Sequence, residues 1–392
     1  GLRAYENNQY VAAMQAWAPH AETGDPRAQI LVGMMYANGD GVEQDYVEAR
    51  RWYLLAADQG YEEAQNNLGL MYYRGLGVKR DYAEAARWYR LAADQGNLEA
   101  KNNLGVMIWL GQAPTDDPIE VRNLVWWAAK KGDPTAQTIM GSIYYDGFGV
   151  EQDHHTARKW YRKAAAQGSP LAQHTLGVMF ERGEGGHRVY DKALAFYGAA
   201  AAQGFASSEN NLGLMYVDGR GVIQDYETGR EWLMRAADQG VAQSQFALGR
   251  LAHFGHGQPR DLAVAARWYR MAAERDFAPA QTSLGFMYAR GEGVARSHDE
   301  AARWLGRAAS HGVVQAQNAF AMMHETGRGV RQDRAAAYFW YDRAAAHGHE
   351  SAAARRDAIA RVLTDREIER IERLAAETPA TTGRVVSVPD VQ

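Results

Sequence analysis

Residues 61–96 read YEEAQNNLGLMYYRGLGVKRDYAEAARWYRLAADQG. Ala64, Leu68, Met71 and Tyr72 fall 4, 3 and 1 apart, which gathers them on one face of a helix over 61–73. Gly75-Leu76-Gly77-Val78 ends that helix, because glycine allows the left-handed backbone of a tight reversal. Asp81, with Glu84 three residues later, has the spacing of a capping box, in which each side chain satisfies an orphaned amide. A second amphipathic stripe follows, made of Tyr82, Ala85, Trp88, Tyr89 and Ala92, and Gly96 closes it. The stretch predicts a helix–turn–helix hairpin. Neither helix can bury its stripe alone, so the hairpin must stack on another.

The same pattern recurs every 36 residues along most of the chain. One column is Gly33, Gly69, Gly105, Gly141, Gly177, Gly213, Gly249 and Gly285; another is Trp52, Trp88, Trp160, Phe196, Trp232, Trp268, Trp304 and Trp340. A fixed period of this size means a stack of hairpins and not a set of globular cores. Glycine inside a helix costs about 1 kcal/mol relative to alanine. Its recurrence predicts that a neighbouring helix comes too close for a β-carbon, and Ala321 stands at the equivalent point of the ninth unit. The capping-box spacing repeats in Asp45 with Glu48, Asp117 with Glu120 and Ser297 with Glu300.

These residues resemble the Sel-1-like repeat family, a relative of the tetratricopeptide repeats. The resemblance runs through nine consecutive units, residues 25–348. It implies an all-α fold, a right-handed α/α superhelical solenoid of helix-turn-helix repeats, used mainly as a protein-interaction scaffold. Residues 1–24 read as an N-terminal partial repeat, with Tyr10, Ala13 and Ala21 in register. Residues 349–377 read as C-terminal capping helices. The second of these opens on Thr364 with Glu367 and carries Ile368, Ile371 and Leu374 on one side. Residues 378–392, with Pro379 and Pro389, read as a flexible tail. The chain begins at Gly1 and not at methionine, and its first residues look like those of exported bacterial members after signal cleavage. The expectation is a periplasmic or secreted protein, or a cytoplasmic one if no export segment precedes Gly1.

Composition narrows the function. Basic residues number 43 against 47 acidic ones, which lacks the footprint of a nucleic-acid binder. No apolar run reaches the length of a membrane span. The chain has no cysteine, so disulfides, thiol nucleophiles and thiolate metal sites are excluded. The G-x-G loops, such as Gly39-Asp40-Gly41, follow no strand and precede no lysine–hydroxyl pair, so they are not phosphate loops. His154 and His155 are adjacent on a helix and point to different faces. His253 with His256, and His347 with His349, each bracket a glycine and find no carboxylate to complete a metal set. A catalytic constellation would have to break the repeat, and none converges. The expectation is therefore a non-enzyme with no cofactor and no metal.

What remains is a surface. Columns 66, 70 and 73 lie opposite the core face of each first helix. In an array resembling tetratricopeptide repeats, this side lines the concave groove. Column 70 reads Met34, Leu70, Val106, Ser142, Val178, Leu214, Arg250, Phe286 and Met322, which is apolar for a solvated face. Tight curvature that buries the column between neighbouring first helices would explain this equally well. Column 73 adds Tyr73, Trp109 and Tyr145, and column 66 adds Asn66 and Asn102, whose amides could hold an extended peptide. The partner-binding set is thus Asn66, Leu70, Tyr73, Arg74, Asn102, Val106, Trp109 and Tyr145. The third unit departs most: its loop is Gly111-Gln-Ala-Pro-Thr-Asp-Asp-Pro118, and Leu124 replaces the column tryptophan while Trp126 and Trp127 follow. The expected partner is a protein or peptide. A rival reading is an envelope enzyme or a carbohydrate- or peptidoglycan-binding protein, since the same aromatic rings can stack on sugars.

Overall fold

The computed structural model describes residues 1–115 and 117–377, and among these every regular element is a helix. The tail expected over 378–392 lies outside the described residues. The chain divides into two compact units, residues 1–196 and 197–392.

In the first unit, Leu2–Glu6 and Tyr10–Glu22 precede the repeats. The first helices of repeats one to five are Pro26–Asn38, Glu62–Arg74, Leu98–Trp109, Pro134–Asp146 and Pro170–Arg182. The second helices of repeats one to four are Tyr46–Ala57, Tyr82–Asp94, Pro118–Lys131 and His154–Ala166. The fifth repeat's second helix, Tyr190–Ala201, begins in this unit. The second unit continues with Ala206–Asp218 and Tyr226–Asp238, then Ala242–Phe254 and Leu262–Glu274, Ala278–Arg290 and His298–Ser310, and Val314–Thr326 and Arg334–Ala346. Glu350–Ala360 and Asp365–Glu377 follow.

The helical glycine is explained by a close approach inside each repeat. A β-carbon at Gly69 would stand 2.6 Å from the ring of Tyr89, which is itself buried. Gly249 meets Tyr269 in the same way, and Gly213 and Gly285 meet Leu233 and Leu305. The column tryptophan does a different job. Trp88 packs with Ala49, Tyr53 and Ala56 of the preceding repeat, and so joins one hairpin to the next. The two loop glycines also divide their labour. Gly75 takes the left-handed conformation that ends the helix, at φ 76°. Gly77 lets the loop rest on the preceding repeat, where a β-carbon would lie 2.5 Å from the Tyr46 carbonyl oxygen.

The expected capping boxes at the second helices are only half made. Asp81 accepts from the Glu84 amide at 3.0 Å, as anticipated. The reciprocal bond is replaced, because the Asp81 N–H donates to the Tyr72 carbonyl. Glu84 is thereby freed to pair with Arg87 at 2.6 Å. The complete box forms at the C-terminal helix. There Glu367 accepts from the Thr364 N–H at 2.8 Å, and the Glu367 N–H donates back to the Thr364 hydroxyl. Ile371 of that helix is buried; the Leu374 side chain lies outside the described residues.

A buried polar column ties the repeats together. Gln65 donates to the Ala57 carbonyl, eight residues earlier, at 3.4 Å; Gln137 and Gln173 do the same to Ala129 and Ala165. Each bond gives a carbonyl at the end of the preceding second helix a second donor, beside the turn amide that already reaches it, as the Gly60 N–H reaches Ala57. Gln95 then donates to Gln65 at 2.8 Å, and Gln167 to Gln137 at 2.9 Å. In the second unit Gln245, Gln281 and Gln317 repeat the bond to Ala237, Ala273 and Ala309.

Candidate partner-binding groove

Column 70 is neither core nor fully solvated. Met34, Leu70, Val106, Ser142 and Val178 are half-buried in the first unit, as are Leu214 and Phe286 in the second. Arg250 and Met322 are exposed. In the first unit two of these side chains, Leu70 and Val106, open onto two hollows along the row of first helices. The smaller, about 130 Å³, is lined by Leu70, Tyr73 and Arg74 on one helix and by Asn103, Val106 and Met107 on the next. The larger, about 440 Å³, lies one repeat further on. It is walled by Val106, Trp109 and Leu110, by Pro134 and Ile139, and by Pro170 and Leu171. Val106 borders both.

Local sequence chemistry builds the larger hollow. Asp133 and Ser169 cap their helices, each accepting from the amide three residues later, and Pro134 and Pro170 follow at the first helical position. Proline is tolerated there because that N–H has no partner to lose. Leu110 stands in a column that carries Asn38, Arg74, Asp146 and Arg182 in the neighbouring repeats. It is 56% exposed, and Leu171 across the hollow is 46% exposed. The ring of Trp109 is half-buried and meets Phe148 edge-on at 5.9 Å.

The polar groups of this hollow are engaged with one another. The Thr138 and Ser169 hydroxyls are 3.0 Å apart, and Gln167 donates to the Gly132 carbonyl and to Gln137. Its lining carries no charged side chain among the described residues. Arg74 supplies charge only at the smaller hollow. Such walls can bury an apolar anchor but present few free groups to a hydroxyl-rich ligand.

Five of the eight residues singled out in the sequence come together here: Leu70, Tyr73, Arg74, Val106 and Trp109. The other three do not. Asn66 is buried between first helices, where it donates to Glu99 at 3.2 Å and accepts from Asn103 at 3.3 Å. Its amide joins repeats and is not presented to a peptide backbone. Asn210 of the second unit behaves alike, accepting from Ser244 at 2.7 Å. Asn102 is half-buried and lines neither hollow; its Oδ1 has no hydrogen-bond partner among the described residues. Tyr145 packs against His154 and Tyr161 and donates to Glu184 at 2.8 Å. Burial, helped by that acid, pushes its phenol up to about 12. Sequence reasoning missed Pro134, Pro170 and Leu171. Their signal was the Asp-Pro and Ser-Pro pairs that open two consecutive first helices.

Other chemistry is not assembled. Among the described residues no group of three His, Asp or Glu side chains gathers as metal ligands, and no helix is long and apolar enough to cross a membrane.

The repeating hairpin is the Sel1 repeat. The family model matches residues 26–61, 62–97, 134–169, 170–205, 206–241, 242–277, 278–313 and 314–349, and the chain belongs to the Sel1 repeat family. The unmatched stretch between the second and third matches is the irregular third unit. It nonetheless folds as the helix pair Leu98–Trp109 and Pro118–Lys131. A Sel1 repeat protein from Oxalobacter formigenes is 34% identical, with 77% of this chain and 88% of that one covered and a TM-score of 0.60. The protein c5321, a protective antigen of uropathogenic Escherichia coli strains with an SLR fold, is 28% identical. There the coverage is 97% of this chain and 91% of that one, with a TM-score of 0.57. Among curated proteins none matches the sequence. Sel1 repeat proteins serve generally as protein-interaction scaffolds.

Proposed function

We propose that this protein is a non-catalytic scaffold that binds an apolar-anchored segment of another protein along the first helices of repeats two to five. The observation that carries this reading is the pair of hollows meeting at Val106, one apolar and uncharged, the other edged by Arg74. An anchor buried in such a hollow contributes about 1.5–3 kcal/mol, so two anchors in register supply a specific contact. Work at the cell envelope is part of this proposal, and fractionation of cells expressing the full reading frame tests that part.

The binding reading is tested by selecting peptides from a displayed library on the purified protein. Selected peptides should share bulky apolar residues and lose at least about tenfold in affinity on Trp109→Ala with Leu171→Asp. A glycan or peptidoglycan probe that binds instead, and is lost on Trp109→Ala while peptide capture is unchanged, would establish the sugar-binding alternative.

A further inference from the structure

The second helices of the third and fourth repeats break the charge pattern of their neighbours. In the first two repeats these helices pair Glu48 with Arg51 and Glu84 with Arg87, and they end on Asp58 and Asp94. In the fourth repeat Thr156 takes the place of the glutamate, and His154–Ala166 contains no acidic residue. Lys159, Arg162 and Lys163 are exposed along it. In the third repeat Lys130 and Lys131 replace the terminal Asp and Gln, and both are exposed. None of these five cations forms an ion pair among the described residues.

An apolar ridge runs into the same place. Leu55, Leu91 and Trp127 occupy one column of consecutive second helices, with exposures of 40%, 40% and 55%. Lys163 is next in that column. The helices are neighbours: Arg90 reaches Glu120 at 3.1 Å, and Trp126 meets Trp160 at 6.0 Å. Trp127 therefore lies within a turn of Lys130 and Lys131 on its own helix, in the column that Lys163, beside Arg162, continues on the next; Lys130, Lys163 and Arg162 rest over the rings of Trp126, Trp160 and Phe180 but meet no carboxylate among the described residues. A tryptophan more than half exposed is costly to leave in water without a use.

We infer that the second helices of repeats three and four form a separate docking surface for a carboxylate-rich protein segment whose apolar residue covers Trp127. Charge complementarity selects this occupant. A broad anionic surface, such as a bilayer, would also meet Glu151 and Asp153, exposed just before the fourth repeat's second helix, and Asp191, exposed on the next second helix, and so be repelled there. A discrete acidic segment avoids them. The patch lies on second helices and the hollows on first helices, so the inference is independent of the proposed groove.

The test uses the full chain and a fluorescein-labelled amphipathic peptide with glutamates on one face and leucines on the other. Binding should weaken as salt rises, and should disappear for the same peptide with glutamines in place of its glutamates. The triple change Lys159→Glu, Arg162→Glu and Lys163→Glu should weaken binding about tenfold, and Trp127→Ala about threefold. Arg267→Glu, at the column of Lys159 in the second unit, should leave binding unchanged. All these side chains are at the surface, and circular dichroism checks that each variant stays helical. Equal binding by the triple variant overturns the inference. So does tighter association with phosphatidylserine vesicles, or with single-stranded DNA, than with the peptide.

Discussion

Gln239 donates to the carboxylate of Glu209, thirty residues earlier, at 2.7 Å. Glu209 is 3% exposed and stands in the column where other repeats carry a buried glutamine. Burial pushes its carboxyl above the usual range, although Arg235 and Gln239 pull the other way. A raised carboxyl favours the protonated native state. The associated stability is present below the unfolded value near 4.5 and is lost as pH rises through the native one. Glu209→Gln should remove that loss and supply the donor that Gln65 gives to Ala57. The variant is expected to be more stable at pH 7 by about 1 kcal/mol. Its advantage should vanish near pH 4, as read by thermal melts across that range.

Gly69→Ala should destabilise. The helix gains about 1 kcal/mol of propensity. The new methyl meets the buried Tyr89 ring at 2.6 Å, and overpacking of that kind costs about 1–3 kcal/mol. A melting temperature that rises on this change would refute the close-approach account of the glycine column.

Asp276 occupies the unit-closing column where the other repeats carry glycine, and it holds a left-handed φ of 63°. Burial works against its carboxylate, but His311, Gln281 and Arg307 outweigh it and keep the pKa below the usual value. Asp276→Ala should be less stable than Asp276→Gly by about 1 kcal/mol, because alanine bears the left-handed cost without the side-chain bonds. The wild type's margin over Asp276→Gly should shrink as pH falls below about 4, where a depressed carboxylate loses its contribution. Paired melts of the three proteins at pH 7 and pH 3 measure both effects.

Tyr145→Phe should leave peptide capture unchanged, since the ring lines neither hollow and its hydroxyl is committed to Glu184. The lost bond should cost about 1 kcal/mol. The phenol's rise to about 12 means that its share of stability holds below pH 10 and fades above it. Affinity and melting temperature measured on one sample separate the two effects. A change in affinity at unchanged stability would return Tyr145 to the groove.

The hairpin, its stacking and the groove columns were legible because the 36-residue period repeats most cues in eight of the nine units. Gly69 shows how far this goes: the close approach could be inferred, but the identity of the ring facing it required coordinates. Glu84 was misread because the Tyr72 carbonyl that takes the cap's amide belongs to the end of the previous helix, which hydrophobic patterning does not describe. Asn66 was misread for a related reason. Whether its amide faces a partner or the next helix depends on inter-repeat spacing, and that spacing brings Glu99 and Asn103 within reach. Leu171 escaped because the hollow draws on different columns of three successive repeats, and a column-by-column reading keeps those apart.

The bond from Gln65 to Ala57 also gives the stack a grain. In every repeat that has this glutamine, the donor lies in the later hairpin and the acceptor in the earlier one. The Gly77 loop likewise settles on a helix already passed. A chain emerging from the ribosome therefore offers each new hairpin a finished template, with its carbonyl waiting. Removing repeats from the C-terminal end exposes those acceptors together with the apolar residues, such as Ala49 and Tyr53, on which the next hairpin's tryptophan packs. Removing them from the N-terminal end strands donors and bares loops, so the two truncations should not be equivalent.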